Sequence, residues 1–262
     1  MTIRIAHLSD IHFGGEMTDA VQAAVDAVAA FEPTLTVVTG DITLNGLPRE
    51  FRAAAAWLDR LPAPKIVTPG NHDTPYWNLV LRTLVPFGRY RRYIGDADTA
   101  AFDDPKLAVR CLNSARGAQP RLNWAQGAIA TNRLRELNWR ADTAPLLRVF
   151  ACHHPLIDIE GAPVTGGVHR GAAAAAILAA IGVDLILTGH VHNPFVLALP
   201  VADPGVYAIG AGTLSVRTRG TPASFSTIVV EDATFEVTAQ GWTGDRFEPM
   251  QSWSLPRRLI LP

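Results

Sequence analysis

The segment IRIAHLSDIH, residues 3–12, begins with alternating apolar side chains and ends with Asp10 and His12. Alternation with a period of two over residues 3–8 predicts a β-strand. Side chains two positions apart in extended chain point the same way, so Asp10 and His12 can reach one common ligand. The segment therefore predicts a strand that brings two polar side chains to one place.

The same arrangement recurs after four further predicted strands, at residues 35–39, 65–68, 146–152 and 184–188. The polar residues that follow these strands are Asp41, Asn71, His72, His153, His190 and His192. A single Asp-x-His or Gly-Asp pair is typical of an ordinary surface turn. Ligands bind beyond the carboxyl ends of parallel strands, and five strand ends in a row favour one shared site.

The rest of the chain predicts an α/β fold. Helices are expected at residues 17–31, 48–61, 129–139 and 172–181, a further strand at 107–112, and a helix followed by an irregular segment at 74–93. The βαβαβ order of the first part predicts a mostly parallel sheet with helices on its faces. Short strands at residues 195–199, 206–209, 225–230 and 234–239 predict a second, largely antiparallel sheet packed against the first.

One domain is expected to span residues 1–262, with the motifs at 8–193 and mainly antiparallel strands at 194–262. The 262 residues include 48% hydrophobic and 18% charged side chains, which is typical of a globular protein. The formal charge of −1 gives no basic field for a nucleic-acid partner. Two cysteines argue against a disulfide framework. We expect a cytoplasmic protein without a membrane partner, since neither a signal peptide nor a long apolar run is present.

Seven of the strand-end residues suit a pair of metal ions better than a single ion. They offer carboxylate, amide and imidazole ligands and no thiolate, which favours Mn, Fe, Zn or Co over a structural zinc site. Calcium or magnesium alone would not require so many histidines. His7 and His169 have no motif around them, and we expect them to have core or surface roles.

Five sequence blocks resemble, in order, the motifs of the calcineurin-like metallophosphoesterases. They are Asp10-Ile11-His12, Gly40-Asp41, Gly70-Asn71-His72-Asp73, His153 and Gly189-His190-Val191-His192. The resemblance covers about residues 3–193. It implies a four-layer α/β/β/α sandwich with two mixed sheets, in agreement with the two sheets predicted above.

The resemblance also implies roles for these residues. One metal ion would be held by Asp10, His12 and His192, the other by Asn71, His153 and His190, with Asp41 bridging them. His72 would be a proton donor or a phosphate-binding group, and Asp73 could orient its imidazole. His153 is preferred to His154 as the ligand because the family's ligand directly ends the strand.

The implied activity is hydrolysis of a phosphate ester with two divalent or mixed-valence metal ions, by attack of a water or hydroxide held between them. The form of the third block, and residues 112–114 with Gly127 and Ile129, resemble the bacterial branch of cyclic nucleotide and glycerophosphodiester phosphodiesterases. Asn113 departs from that branch's usual aspartate. We therefore expect a small-molecule phosphodiester as substrate.

Other functions stay open. A phosphomonoesterase or phosphoprotein phosphatase would share the metals, although the chain lacks the latter's Gly-Asn-His-Glu block. A DNA nuclease would usually add domains and a basic surface. A scaffold without turnover has typically lost ligands, and none is missing here.

Substrate contacts are expected from Asn71 and His72. Arg82 and Arg89, in the aromatic and arginine-rich residues 76–93, could grip an anion. The alternative for this stretch is a solvated helix face with a few packed aromatics. An exposed C-terminal strand, or the tail at residues 253–262, could build a homodimer.

Overall fold

A computed structural model of the chain describes residues 2–121, 123–139, 147–160, 167–199 and 205–257. The strands are β1 (Ile3–Leu8), β2 (Leu35–Val38), β3 (Lys65–Val67), β4 (Thr99–Asp103), β5 (Leu107–Leu112), β6 (Leu147–Ala151), β7 (Leu185–Thr188), β8 (Phe195–Ala198), β9 (Tyr207–Gly210), β10 (Ser224–Val230), β11 (Thr234–Trp242) and β12 (Phe247–Pro256). The helices are α1 (Thr18–Phe31), α2 (Pro48–Leu58), α3 (Leu79–Leu84), α4 (Gly88–Tyr93), α5 (Thr131–Glu136) and α6 (Gly171–Ile181). None of these helices is long and apolar enough to cross a membrane.

The strands form two six-stranded mixed sheets. The first has the order β12-β11-β10-β1-β2-β3, and the second has the order β4-β5-β6-β7-β9-β8. In the first sheet β1, β2 and β3 run parallel to one another. In the second, β5, β6, β7 and β9 are parallel. Each sheet therefore presents a run of carboxyl strand ends at one edge.

Three apolar clusters separate four layers. Alternate residues of β1 point to opposite faces, so Ile5 packs between the two sheets while Leu8 packs toward the helices α1 and α2. Phe150 and Ile186 lie on the outer face of the second sheet, against α5 and α6. The layers run helix, sheet, sheet, helix. The predicted α/β/β/α sandwich is confirmed.

The C-terminal strands differ from the prediction, because they do not form a sheet of their own. Strands β10, β11 and β12 extend the first sheet beside β1, while β8 and β9 extend the second. The strand β9 pairs in parallel with β7 and antiparallel with β8. Periodicity identifies a strand but not its neighbour, so the sequence could not separate these pairings.

Some element bounds also differ. Residues 74–93 hold two short helices rather than one, because Pro86 lacks a backbone N–H and disfavours helical geometry at Val85. The helix expected at 129–139 is shorter, and residue 146 lies outside the described residues. Strands β4 and β12 were not predicted. Pro249 is tolerated in β12 because that strand lies at a sheet edge.

Candidate metal centre

Loops after five parallel strands meet at one edge of the sandwich. Asp10 follows β1, and its backbone N–H donates to Gly40 O at 3.0 Å, next to β2. The backbone N–H of Gly189, after β7, donates to His153 O at 2.8 Å, after β6. These bonds tie neighbouring loops together. The seven predicted ligands, here called the strand-end cluster, are Asp10, His12, Asp41, Asn71, His153, His190 and His192.

Five of these seven residues have a left-handed backbone. The φ angles are 55° at Asp10, 52° at His12, 50° at Asp41, 69° at His190 and 66° at His192. Such geometry costs a non-glycine residue about 1–2 kcal/mol, and strain of this kind collects at functional sites. The turn at Gly70 also requires glycine, since a Cβ there would lie 2.2 Å from Asp41 Oδ1. The fold therefore holds this cluster against local backbone preference.

One group of ligand atoms lies around Asp10. The Nε2 atom of His192 is 3.2 Å from Asp10 Oδ1 and 3.2 Å from His12 Nε2. The distance from His12 Nε2 to Asp10 Oδ1 is 3.7 Å. These separations suit three ligands about 2.1 Å from one ion. The described residues therefore offer a first site whose three atoms converge.

A second group lies around Asp41. Its Oδ2 atom is 3.3 Å from His153 Nε2 and 4.0 Å from His12 Nε2, so Asp41 stands between the two groups. Asp10, Asp41 and His153 are close enough to share an ion, as are His153 and His190. Asn71 is buried nearby in the loop after β3. The arrangement can hold two ions with Asp41 between them.

The histidine rings are fixed by backbone carbonyl groups. Because a carbonyl oxygen only accepts, each bonded Nδ1 must carry the proton, which leaves Nε2 as a lone pair facing the cluster. The Nδ1–carbonyl distances are 3.3 Å from His12 to Thr43, 2.7 Å from His153 to Thr39, and 2.7 Å from His192 to Arg217. These three imidazoles are therefore oriented as metal ligands.

His154 is the alternative to its neighbour His153, and both of its ring nitrogens are engaged. Its Nδ1 lies 2.8 Å from Ser114 Oγ, and its Nε2 lies 2.8 Å from Ala125 O. The Nε2 of His153, by contrast, has no hydrogen-bond partner among the described residues. The structure thus favours His153 over His154 as a ligand.

Polar atoms without partners show where cations would fit. Among the described residues, Asp10 Oδ1, Asn71 Oδ1 and His153 Nε2 are buried and make no hydrogen bond. A buried polar group without a partner costs about 1–3 kcal/mol, and each such group requires an explanation. All three belong to the strand-end cluster, and bound ions would satisfy all three.

Burial and neighbouring charges shift the pKa values of these groups in different directions. Burial lowers the pKa of His12 to about 3, so its imidazole is neutral at neutral pH. Burial opposes ionisation of Asp10 and Asp41, but His192 and His153 respectively outweigh it, and the pKa of each carboxyl falls. Burial also opposes protonation of His153, yet Asp41 raises its pKa to about 9. The site therefore stabilises positive charge beside two carboxylates.

His72 lies beside this cluster. Its backbone N–H donates to Asp41 Oδ1 at 2.7 Å, and its Nδ1 donates to Leu44 O at 2.6 Å. The guanidinium of Arg217 lies 3.0 Å from His72 Nε2 and donates to it. The ring centroid of His72 is 4.8 Å from that of His12. The Nε2 atom therefore presents a lone pair at the edge of the cluster.

Arg217 was not predicted. It follows β9, whose carboxyl end lies at the same edge as that of β7 because the two strands are parallel. The loop is fixed there by the Thr213 hydroxyl, which donates to Asp10 O at 2.6 Å. The two arginines spaced two residues apart, Arg217 and Arg219, are a feature visible in the sequence. The sequence could have placed them at the site only if it had also predicted that β9 pairs with β7.

The predicted role of Asp73 is corrected by its hydrogen bonds. Its Oδ2 accepts from Gly70 N at 2.9 Å and from Ile42 N at 3.3 Å. Its Oδ1 accepts from the backbone N–H and the hydroxyl of Thr43 at 2.9 and 2.8 Å. The Asp73 carboxylate thus joins the loops after β2 and β3 and does not orient the His72 ring.

Asp73→Ala is accordingly expected to lower stability. The change leaves three buried backbone N–H groups without their acceptor, at a total cost of about 3 kcal/mol. For a chain of this size that corresponds to a Tm lower by roughly 6–12 °C, measured by thermal unfolding of the metal-free protein. Asp26→Ala, at an exposed position on α1, is the control. An unchanged Tm with a shifted pH profile of activity would instead support a role for Asp73 through His72.

The two predicted substrate-binding arginines lie in different surroundings. Arg82 is buried, its Nε donates to Gly117 O at 2.8 Å, and it lines a cavity of about 660 Å³ together with Asn71 and His72. The guanidinium of Arg89 donates to Gly46 O at 2.6 Å, on the outer side of the loop after β2. The structure therefore joins Arg82 to the site and leaves Arg89 as a loop contact.

A protein-family model described as Calcineurin-like phosphoesterase matches residues 3–194. The chain belongs to the calcineurin-like phosphoesterase family. The match includes the whole strand-end cluster. The predicted family and the predicted class of activity, metal-dependent hydrolysis of phosphate esters, are confirmed.

Two proteins with similar sequences are both named as phosphodiesterases. A Synechococcus protein named "Probable cyclic nucleotide phosphodiesterase" is 27% identical over 207 residues, which cover 75% of this chain and 76% of that protein. A glycerophosphodiester phosphodiesterase of Enterobacter lignolyticus is 34% identical over 94 residues. That match covers 31% of this chain and 34% of the relative.

A solved structure has the same fold. The crystal structure of a dimetal phosphatase from Danio rerio superimposes with a TM-score of 0.68 at 12% identity. It covers 98% of this chain and 99% of that one. At this identity the likeness shows the fold alone. The fold and the cluster geometry together agree with a dimetal-dependent phosphoesterase.

Proposed function

We propose that the chain hydrolyses a small-molecule phosphodiester with the help of two metal ions. The observation that carries the proposal is the set of buried ligand atoms without hydrogen bonds on Asp10, Asn71 and His153, which follow the carboxyl ends of strands from both sheets. One ion would be held by Asp10, His12 and His192, and the other by Asn71, His153 and His190, with Asp41 bridging them. Two relatives named as phosphodiesterases support the diester.

The ligand atoms of the strand-end cluster limit which metal ions can bind. Imidazole, amide and carboxylate ligands without thiolate suit Mn, Fe, Zn or Co, as two divalent ions or a mixed-valence pair. When bound, such ions lower the pKa of water and neutralise charge on the phosphate. The chain supplies the rigid ligands, whose Nδ1 atoms are fixed by carbonyl groups, and a buried centre that excludes bulk water.

His72 is the proton donor in this proposal. Its Nδ1–H is held by Leu44 O, so the proton that moves is carried on Nε2. When Nε2 of His72 is protonated, it can no longer accept the hydrogen bond from Arg217, because Nε2 and the guanidinium nitrogen then both carry hydrogens. The freed guanidinium can grip a non-bridging phosphate oxygen while His72 protonates the leaving alkoxide.

A phosphomonoester is the second candidate. Arg217 and Arg219 add two positive charges near the carboxylates of Asp10 and Asp41. That extra charge suits a dianionic monoester as well as a monoanionic diester.

The test compares bis-p-nitrophenyl phosphate with p-nitrophenyl phosphate, using metal-stripped protein with and without added Mn²⁺. We expect hydrolysis only with metal, and kcat/KM at least about tenfold higher for the diester, a difference in activation free energy of about 1.4 kcal/mol. The reverse preference would select the monoesterase. Two bound metals with no cleavage of either ester would contradict the proposed activity.

A further inference from the structure

An apolar surface adjoins the cavity beside His72, which Tyr76, Trp77 and Leu79 help to line. Among the described residues, seven of the nine exposed large hydrophobic side chains fall within residues 76–85. Trp77 is 75% exposed and Leu84 is 73% exposed. An eighth, Val216, is adjacent in sequence to Arg217. We call the exposed apolar side chains of residues 76–85, together with Val216, the apolar rim.

The short helix in this rim, α3, exposes apolar side chains and buries an arginine, which is the reverse of an ordinary surface helix. In α3 the apolar residues Leu79, Val80 and Leu84 face solvent, while Arg82 is only 6% exposed. Its Nε donates to Gly117 O, and its guanidinium lies 5.7 Å from the ring centre of Trp124. A helix that served only the core would bury its leucines and expose its arginine. Clustered exposed apolar groups mark a binding surface.

The rim is continuous with the proposed catalytic site. The cavity of about 660 Å³ is lined by the buried or half-buried polar residues Asn71, His72 and Arg217 and by the exposed apolar residues Tyr76, Trp77 and Leu79. Arg82 also lines it, and its described lining holds no acidic residue. Part of the lining thus suits an anion and the rest suits hydrocarbon.

We propose that the substrate is an amphiphilic phosphodiester, whose phosphate lies at the strand-end cluster and whose alkyl or acyl chain lies on the apolar rim. The proposal rests on the proposed function for its anionic end. A second copy of the chain is a poorer occupant, because a protein seated on Tyr76, Trp77 and Leu79 would close the mouth of the cavity. A chain that belongs to the substrate fills the rim and leaves the phosphate in place.

The test uses alkyl p-nitrophenyl phosphates with methyl, butyl and octyl chains, below their micelle concentrations, with the Mn²⁺-loaded full-length protein. Burying a methylene group fully is worth about fourfold in affinity, and a half-open rim should give about twofold. Because octyl has seven more methylene groups than methyl, we expect kcat/KM to rise about 100-fold from methyl to octyl.

The double variant Trp77→Ser, Leu79→Ser, at two residues that line the cavity, should reduce the octyl-to-methyl ratio at least about fivefold by the same reasoning. Both positions are exposed, so the fold should tolerate the change. Met250→Ser, at an exposed apolar residue on β12, should keep the wild-type ratio. A wild-type ratio near one would overturn the proposal. So would a dimer, seen by light scattering, that the double variant dissociates, since the rim would then be an interface between copies.

A binding measurement separates this proposal from the proposed activity. Octylphosphonate, which resists hydrolysis, should shift tryptophan fluorescence at concentrations at least about tenfold lower than methylphosphonate. Leu79→Ser, at a residue that lines the cavity, should reduce that difference. Binding that depends on alkyl-chain length, without hydrolysis of any ester, would contradict the proposed activity and support the apolar rim as a binding surface. Hydrolysis with no dependence on alkyl-chain length in either measurement would support the proposed activity and contradict the role of the rim.

Discussion

Asp41→Asn lowers metal-dependent phosphodiester hydrolysis by about 10³-fold or more in kcat/KM. The reason is the position of Asp41, whose Oδ2 atom lies 3.3 Å from His153 Nε2 and 4.0 Å from His12 Nε2. An amide in its place removes the negative charge that the two proposed ion sites would share. A 10³-fold loss corresponds to roughly 4 kcal/mol, which is reasonable for loss of a metal that stabilises charge in the transition state.

The same substitution should remove stabilisation by metal. Wild-type protein with Mn²⁺ at about 100 times its Kd gains about 2.7 kcal/mol of unfolding free energy. Its Tm should therefore rise by roughly 5–11 °C. Asp41→Asn should show little of this rise, while its metal-free Tm stays near that of the wild type because an amide oxygen can still accept from His72 N.

Asp26→Asn is the matched control, since that carboxylate is exposed on α1. It should retain both the activity and the Mn²⁺-dependent rise in Tm. If Asp41→Asn kept the full rise in Tm, Asp41 would not be the bridging ligand. If it lost the rise but kept activity, the metal would not be required for the reaction.

His72→Ala is expected to lower kcat by about 10²–10⁴-fold for an ester with an alkoxide leaving group. The loss should be much smaller for p-nitrophenyl esters, because p-nitrophenolate departs without a proton. The prediction follows from the position of His72, which lines the cavity and whose Nε2 accepts a hydrogen bond from Arg217 at 3.0 Å.

The measurement is kcat for both types of ester in the same variant. Any dialkyl phosphate that the wild type cleaves can serve, and glycerophosphocholine and adenosine 3′,5′-cyclic phosphate would be tried first. His169→Ala, at an exposed histidine, is the control and should leave both rates unchanged. Equal losses for both leaving groups would show that His72 binds the phosphate rather than protonating the alkoxide.

Substitution of Arg217, which donates to His72 Nε2, tests whether this arginine contributes to substrate binding. Arg217→Ala removes the donor to His72 Nε2 and a candidate grip on phosphate, so we expect KM to rise by roughly tenfold. Arg217→Lys should recover little of this loss, because lysine lacks the planar fork. A change confined to kcat, with KM unchanged, would contradict a role in binding.

Local sequence patterns were sufficient for much of this protein. Alternation over residues 3–8 predicted β1, and the residues after five strands predicted which side chains would share an edge, because carboxyl ends of parallel strands lie together. The choice of His153 as ligand came only from resemblance. The hydrogen bonds of His154 now give it a physical basis.

Other features depended on contacts between distant segments. The sequence pattern of strand β9 is similar to that of the strands next to it in the chain. Only its pairing with β7 brings Arg217 to His72. Asp73 follows His72 directly, yet its carboxylate turns toward Thr43 because buried N–H groups there need an acceptor. Periodicity also could not show that α3 buries Arg82 and exposes its leucines.

The sequence by itself determined ten of the twelve strands, the α/β class and the residues gathered beyond the strand ends, since backbone alternation and strand direction act over a few neighbouring residues. The tertiary structure alone decided which strands pair, which ring nitrogens are left free for ions, and which apolar side chains stay exposed around the cavity. Those outcomes depend on burial and on hydrogen-bond partners from segments far apart in the chain, where one-dimensional patterns carry no distance information.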